Sequence, residues 1–77
     1  MARDAESRWQ HEATRRAAAA GGAETVEDVI LRALLADSPL ARGEVSRLVA
    51  AAALLDRDYL EYWVDELGLQ ERWLPLR

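Results

Sequence analysis

Apolar residues recur at helical spacing in the middle of the chain. The i, i+3, i+4, i+7, i+8 pattern of a helix that buries one side is formed by Val26, Val29, Ile30, Ala33 and Leu34. Leu31 and Leu35 lie on another side of the same helix. We therefore expect this helix to be central, with neighbours on two sides.

Two further apolar stripes predict two more helices. One runs from about Pro39 to Ala53, with Ala41, Val45, Leu48, Val49 and Ala52 facing inward. The other follows Asp56 and turns Leu60, Trp63, Val64 and Leu67 inward. No segment alternates apolar and polar residues as a half-buried strand does, so the pattern predicts an all-α fold.

The boundaries of these helices are marked by residues with known capping preferences. Thr25, Ser38 and Asp56 are predicted N-caps, and proline follows Ser38 at the first helical position. Gly68 is predicted to end the last helix in the left-handed conformation. Leu74 and Pro75 are expected to end the ordered chain.

A polar segment precedes the first of these helices. Its roughly nineteen residues, from Ala2 to Ala20, favour a helix, and the glycine pair at 21–22 separates it from the rest. Among the residues of its apolar stripe only Trp9 is large, so we expect this helix to dock weakly. The predicted architecture is a small three-helix bundle, residues 23–77, with an additional N-terminal helical arm, residues 1–22.

Composition narrows the classes of function. The 77 residues form one domain at most, and the absence of cysteine excludes disulfides and thiolate metal sites, which makes a cytoplasmic location the expectation. No apolar run approaches the roughly 20 residues that span a bilayer. Residues 23–77 carry six arginines against eleven acids. Because phosphate backbones bind proteins through Lys and Arg, nucleic acid is an unlikely partner.

The largest aromatic side chains are concentrated where the acids are also concentrated. Residues 54–73, LLDRDYLEYWVDELGLQERW, contain two tyrosines, two tryptophans, six acids and two arginines. Tyr62 points about 200° away from Leu60 around the helix, and Tyr59 lies on the flank. Either these aromatics are core and boundary residues, or they form a recognition face of the kind in which Tyr and Trp are enriched.

Two observations favour the recognition face. Asp65 and Glu66 stand in the last helical turn, where the helix dipole disfavours carboxylates unless Arg72 folds back onto them. In addition, Trp9, Tyr62 and Trp73 present more aromatic surface than three short helices readily cover.

Patterns typical of catalytic, metal or cofactor sites are not found in the sequence. The single histidine, His11, has Arg15 where a zinc-protease helix requires a second histidine. The segment DRDYLE has Leu60 and Glu61 where a calcium loop needs an oxygen ligand and a glycine. We therefore predict that the chain is not an enzyme and binds no cofactor or metal.

Residues 28–72 resemble the C-terminal helices of nucleotidyltransferase-like proteins of bacterial toxin–antitoxin and abortive-infection systems. The resemblance rests on LDRDYLEYWVDELGL, which matches an LD-x-x-YL-x-x-W-x-x-x-LG pattern at Tyr59, Leu60, Trp63, Leu67 and Gly68. Ala33 stands where the family usually has lysine, the Arg-x-x-Asp element that follows is missing, and the strand-rich catalytic half has no counterpart. The resemblance thus implies the helical packing of that family without its nucleotide site.

The same region is also similar to helix-turn-helix regulators. There, a PL-x-R-x-E helix, matched here by residues 39–44, precedes a recognition helix and a closing LGL, matched by residues 67–69. The corresponding recognition helix carries Arg57 against five acids, whereas reading of DNA bases requires donors and a positive approach.

These observations together predict a non-catalytic helical protein-interaction module that acts as an accessory subunit or docking domain of a larger protein. The predicted partner-binding residues are Trp9, Tyr59, Tyr62, Glu66 and Trp73. The alternatives are a helix-turn-helix DNA-binding regulator and a homodimer that self-assembles through Leu31, Leu35 and Trp9.

Overall fold

The fold is all-α, as the sequence predicts. The computed structural model describes residues 2–52 and 54–77, with side chains described from Asp4 onward. Within these residues the helices are α1 (Ala2–Ala19), α2 (Val26–Ala36), α3 (Pro39–Ala51), α4 (Arg57–Glu66) and α5 (Gln70–Trp73). The predicted end of α3 at Ala53 lies outside the described residues.

The three predicted N-caps are confirmed. The hydroxyl of Thr25 accepts a hydrogen bond from the backbone N–H of Asp28 at 3.4 Å, and that of Ser38 accepts from Ala41 at 3.0 Å. At α4, Oδ1 of Asp56 accepts from the N–H of Tyr59 at 3.1 Å. Each cap satisfies a backbone donor that the first helical turn leaves without a partner.

The predicted C-terminal glycine of α4 is also confirmed. Gly68 has a φ of 68°, and the N–H of Leu69 then reaches back to the carbonyl of Val64 at 2.8 Å. This is the arrangement in which a left-handed residue reverses the chain at the end of a helix. It directs the remaining residues back towards the core.

The N-terminal helix α1 is part of the core. Its apolar stripe, Ala5, Trp9 and Ala13, is buried, with Trp9 at 0% exposure. The Cα radius of gyration is 11.8 Å, close to about 11.5 Å for a compact domain of this length, so α1 does not project away. Helix α1 is therefore docked on the other helices through Trp9, which also makes a buried polar contact, described below.

Helix α2 is central, as predicted. It packs against both α3 and α4. Leu31 is completely buried, and Leu35 is partly buried against the same core. The prediction of an exposed position, which self-assembly through these two leucines requires, is therefore wrong.

A short fifth helix, not predicted from the sequence, completes the core. Trp73 ends α5 and is 1% exposed. Arg72 extends from α5 towards the C-terminus of α2, where its Nη1 donates to the carbonyl of Leu34 at 3.0 Å. Arg72 therefore interacts with the negative end of the α2 dipole rather than folding back onto Asp65 and Glu66.

Candidate functional site

The five predicted partner-binding residues do not form one surface. Trp9 and Trp73 are buried in the core, and Tyr59 is partly buried. Tyr62 is 53% exposed, and Glu66 is also exposed. The expectation that Trp9 and Trp73 leave aromatic surface uncovered is wrong, because α1 and α5 place these two side chains in the core.

A buried carboxylate explains the positions of Trp9 and Tyr59. Asp28, in the first turn of α2, has 0% exposure. Its Oδ1 accepts hydrogen bonds from the indole Nε1 of Trp9, at 2.9 Å, and from the hydroxyl of Tyr59. Its Oδ2 accepts from the hydroxyl of Thr25 at 2.9 Å and from Nε of Arg16 at 3.2 Å. The carboxylate thus has four donors from α1, α4 and the α2 N-cap.

Arg16 balances the charge of this cluster. Its Nη2 lies 3.0 Å from Oε1 of Glu27, and its guanidinium carbon lies 3.7 Å from the centre of the Tyr59 ring. The other carboxylate oxygen of Glu27 accepts from the backbone N–H of Asp56 at 3.0 Å. The ion pairs and hydrogen bonds of Arg16 and Glu27 therefore link the ends of α1, α2 and α4, with α1 held at its last turn.

Burial of the Tyr59 hydroxyl raises its pKa well above the ordinary value of a tyrosine, and the hydrogen bond to Asp28 raises it further. The hydroxyl therefore remains a proton donor to the carboxylate throughout the neutral pH range. Since donors surround both oxygens of Asp28 and its side chain is fully buried, the cluster holds helices together and leaves no open position for a substrate.

The residue that sequence reasoning missed is Asp28. The predictions from sequence assign this residue no role. A signal was present, because Asp28, Leu31 and Leu35 share one side of α2 at i, i+3 and i+7. A carboxylate on an otherwise apolar stripe is buried only if donors reach it, and Trp9 and Tyr59 are two of its four donors.

The exposed surface of α4 is acidic and carries one aromatic ring. Besides Tyr62, its exposed residues are four acids and one arginine: Asp58, Glu61, Asp65, Glu66 and Arg57. The Tyr62 ring packs edge-on against Trp63, with centroids 5.0 Å apart and an interplanar angle of 85°. The contact with the buried Trp63 ring thus helps to fix the orientation of the exposed Tyr62 ring.

A cleft lies beside this ring, between α1 and the C-terminus of α4. It has a volume of about 510 Å³ and is lined by Asp4, Ala5, Arg8, Asp65, Glu66, Leu67 and Gly68. Nη2 of Arg8 meets Oε1 of Glu66 at 2.8 Å, and this hydrogen bond raises the pKa of Arg8. We call Tyr62, Asp65 and Glu66, together with this cleft, the α4 surface.

The described part of the chain holds neither a metal-ligand cluster nor a membrane-spanning helix. Among the residues that the structure describes, no group of three or more His, Cys, Asp or Glu side chains is arranged to hold a metal ion. Within the same residues, no helix is long and apolar enough to cross a bilayer.

Comparison with known proteins adds no assignment. No protein-family model, curated protein sequence or solved structure matches this chain significantly. The two resemblances drawn from residues 28–72 therefore stay predictions.

Proposed function

We propose that the chain is a non-catalytic helical protein-interaction module, an accessory subunit or docking domain, and that it binds its partner through the α4 surface. The observation that carries the proposal is the position of Tyr62. It is 53% exposed, it lies among carboxylates, and its ring rests on the buried Trp63. A tyrosine held in place before binding loses little conformational entropy in a complex, which is one reason why tyrosine is common at binding hot spots.

The surrounding acids are better explained by binding than by the stability of α4. Asp65 and Glu66 stand at the negative end of the helix dipole, where each carboxylate costs roughly 0.3–1 kcal/mol. Arg8 pairs with Glu66, whereas Asp65 accepts a hydrogen bond from the neutral amide of Gln70. Acids beside an exposed aromatic orient a partner and raise its association rate, while the aromatic contributes most of the affinity.

The charge of the α4 surface defines the chemistry of the partner. The surface carries three acids against one arginine: Asp4, Asp65 and Glu66 against Arg8. It is therefore complementary to a protein region rich in Lys or Arg. The same charge opposes a phosphate backbone, which argues for a protein partner over the DNA-binding alternative. Trp9, Tyr59 and Trp73 contribute by building the core beneath this surface rather than by contacting the partner.

Capture from cell extract with matched variants tests this proposal. The tagged full chain, Tyr62→Ala and Leu74→Ala would be compared after nuclease treatment, with bound proteins identified by mass spectrometry. Leu74 is the matched control because it is also 53% exposed. We expect a protein that the wild type and Leu74→Ala retain and that Tyr62→Ala loses, while circular dichroism remains unchanged in all three.

A second measurement uses the recovered partner. Asp65→Asn together with Glu66→Gln should slow association and weaken its dependence on salt, with little change in dissociation. Equal capture by wild type and Tyr62→Ala would overturn the proposal. Capture that disappears with nuclease would favour the DNA-binding alternative instead.

A further inference from the structure

Helix α3 has an outward side that none of the described residues covers. Its main packing contact is with α2, and Val45 is its only fully buried residue. Leu40, in its first turn, is 86% exposed, and Leu54, shortly after its last residue, is 93% exposed. These are the two most exposed large apolar side chains among the residues with described burial.

We propose that this side of α3 binds a second copy of the chain, with the two α3 helices antiparallel about a two-fold axis near Ser46. This proposal does not rest on the function assigned to the α4 surface. Between the two leucines, the outward side carries the small exposed residues Gly43, Ser46 and Ala50. Small side chains allow two helices to approach closely, and the leucines provide the apolar surface that the approach removes from water.

The sequence of α3 is complementary to itself in this orientation. A two-fold axis near Ser46 places Gly43 of one copy opposite Ala50 of the other. It also brings Leu40 of one copy to the end of α3 from which Leu54 extends in the other. Such a contact uses the same patch on both copies and closes on itself, as most homodimers do.

Charge on α3 also favours a second copy. Glu44 and Arg47 lie beside the small residues, and within one chain Nη2 of Arg47 is 3.8 Å from Oε2 of Glu44. In the antiparallel arrangement Glu44 of one copy comes next to Arg47 of the other, so each side chain gains a partner of opposite sign. The chain has a net charge of −4, whereas α3 carries two arginines and one acid. Two copies therefore meet with less repulsion here than through the acidic α4 surface.

The area available sets the strength of the contact. A helix of 13 residues is about 20 Å long, and one side of it supplies less than the roughly 800 Å² per partner of a standard interface. We therefore expect a dimer whose population rises with protein concentration. In that dimer the acidic α4 surfaces stay uncovered, and the molecule presents two of them.

The absence of cysteine allows a direct test by cross-linking. Ser46→Cys places one thiol beside the proposed axis, where closely packed helices bring facing Cα atoms within the 4.4–6.8 Å range typical of a disulfide. Ser7→Cys is the matched control, because Ser7 lies on α1 and is exposed, as Ser46 is. We expect Ser46→Cys to form a covalent dimer on mild oxidation at least about tenfold faster than Ser7→Cys, because association raises the effective thiol concentration.

Charge substitution at the leucines separates a specific contact from random collision. Leu40→Asp, introduced beside Ser46→Cys, should reduce the rate to that of Ser7→Cys, whereas Leu74→Asp should leave it unchanged. Tyr62→Ala should also leave it unchanged, so loss of partner binding and loss of dimerisation can be told apart. Circular dichroism checks that each variant retains its helicity.

Two results would overturn the proposal. One is an equal cross-linking rate for Ser46→Cys and Ser7→Cys. The other is a Leu40→Asp, Ser46→Cys double variant that stays folded and cross-links as fast as Ser46→Cys alone. Sedimentation of the unmodified chain gives an independent reading: a mass fixed at 8.6 kDa up to millimolar concentration also contradicts a dimer.

Discussion

The indole nitrogen of Trp9 lies 2.9 Å from Oδ1 of Asp28, and neither side chain is exposed to solvent. One hydrogen bond thus ties the first helix of the chain to the first turn of the second. Tyr59 donates to the same oxygen from α4.

Removing the carboxylate should destabilise the chain strongly. Asp28→Ala leaves buried donors on Trp9, Tyr59 and Arg16 without their acceptor, and breaking a buried charge pair of this kind costs about 3–5 kcal/mol. A domain of this length is expected to have a free energy of unfolding of about 4–12 kcal/mol in total. Urea unfolding measures the difference, with Asp58→Asn on the exposed side of α4 as control. A loss below about 1 kcal/mol would show that the cluster contributes little.

The two tyrosines should differ in their contribution to stability. Tyr59→Phe removes a hydrogen bond to a buried carboxylate, which is worth about 1.5–3 kcal/mol. Tyr62→Phe alters an exposed hydroxyl and should change the free energy of unfolding by less than about 0.5 kcal/mol. Denaturant midpoints of the two variants give the comparison directly, and equal values would contradict the assigned role of Tyr59.

Stability should fall in alkaline solution through Tyr59. Its folded-state pKa is raised, so above the ordinary tyrosine value of about 10 the unfolded chain releases this proton before the folded chain does. The contribution is therefore fully present below about pH 10 and is lost as the pH rises from there towards the folded-state value. The chain contains neither lysine nor cysteine, so no side chain of these two types adds to this pH dependence.

Unfolding midpoints measured between about pH 8 and about pH 11 test this pH dependence. We expect the decline of the wild type to be much smaller in Tyr59→Phe and unchanged in Tyr62→Phe. The same decline in Tyr59→Phe would mean that another group causes it.

Two glycine-to-alanine substitutions should have opposite effects. Gly68 has a φ of 68°, so alanine there adopts a left-handed conformation that costs roughly 1–2 kcal/mol. Gly43 lies within α3, where alanine should stabilise the helix by roughly 0.5–1 kcal/mol. A Cβ at either position meets no atom within 4 Å, so backbone conformation alone determines the difference. Thermal unfolding at low protein concentration measures both, and two changes of the same sign would contradict this explanation.

The helix boundaries could be predicted because they depend on neighbouring residues. Thr25, Ser38 and Asp56 each cap a helix through a backbone N–H three residues later, and such contacts can be read from spacing. The outward position of Tyr62 followed in the same way from the 100° turn per residue. Its exposure agrees with that geometry, whereas its role in binding stays a prediction.

The burial of Trp9 and Trp73 could not be predicted, because it depends on which helices meet. Trp9 is the only large residue on the α1 stripe, and its position became clear only with its acceptor, Asp28, known. Trp73 belongs to a helix of four residues with no side-chain cap, which is too short for a periodic pattern. Its indole Nε1 donates to Glu61 at 2.9 Å, a contact that no local rule indicates.

Trp9 and Trp73 belong to one hydrophobic core although 64 residues separate them in the sequence. Two segments so far apart meet only after the intervening chain has closed into a loop, which costs conformational entropy. The helices can form one by one from local contacts, but this core forms only when the distant segments come together. A chain shortened to end before Trp73 would therefore keep its helical segments and lose one of the two tryptophans that fill the core.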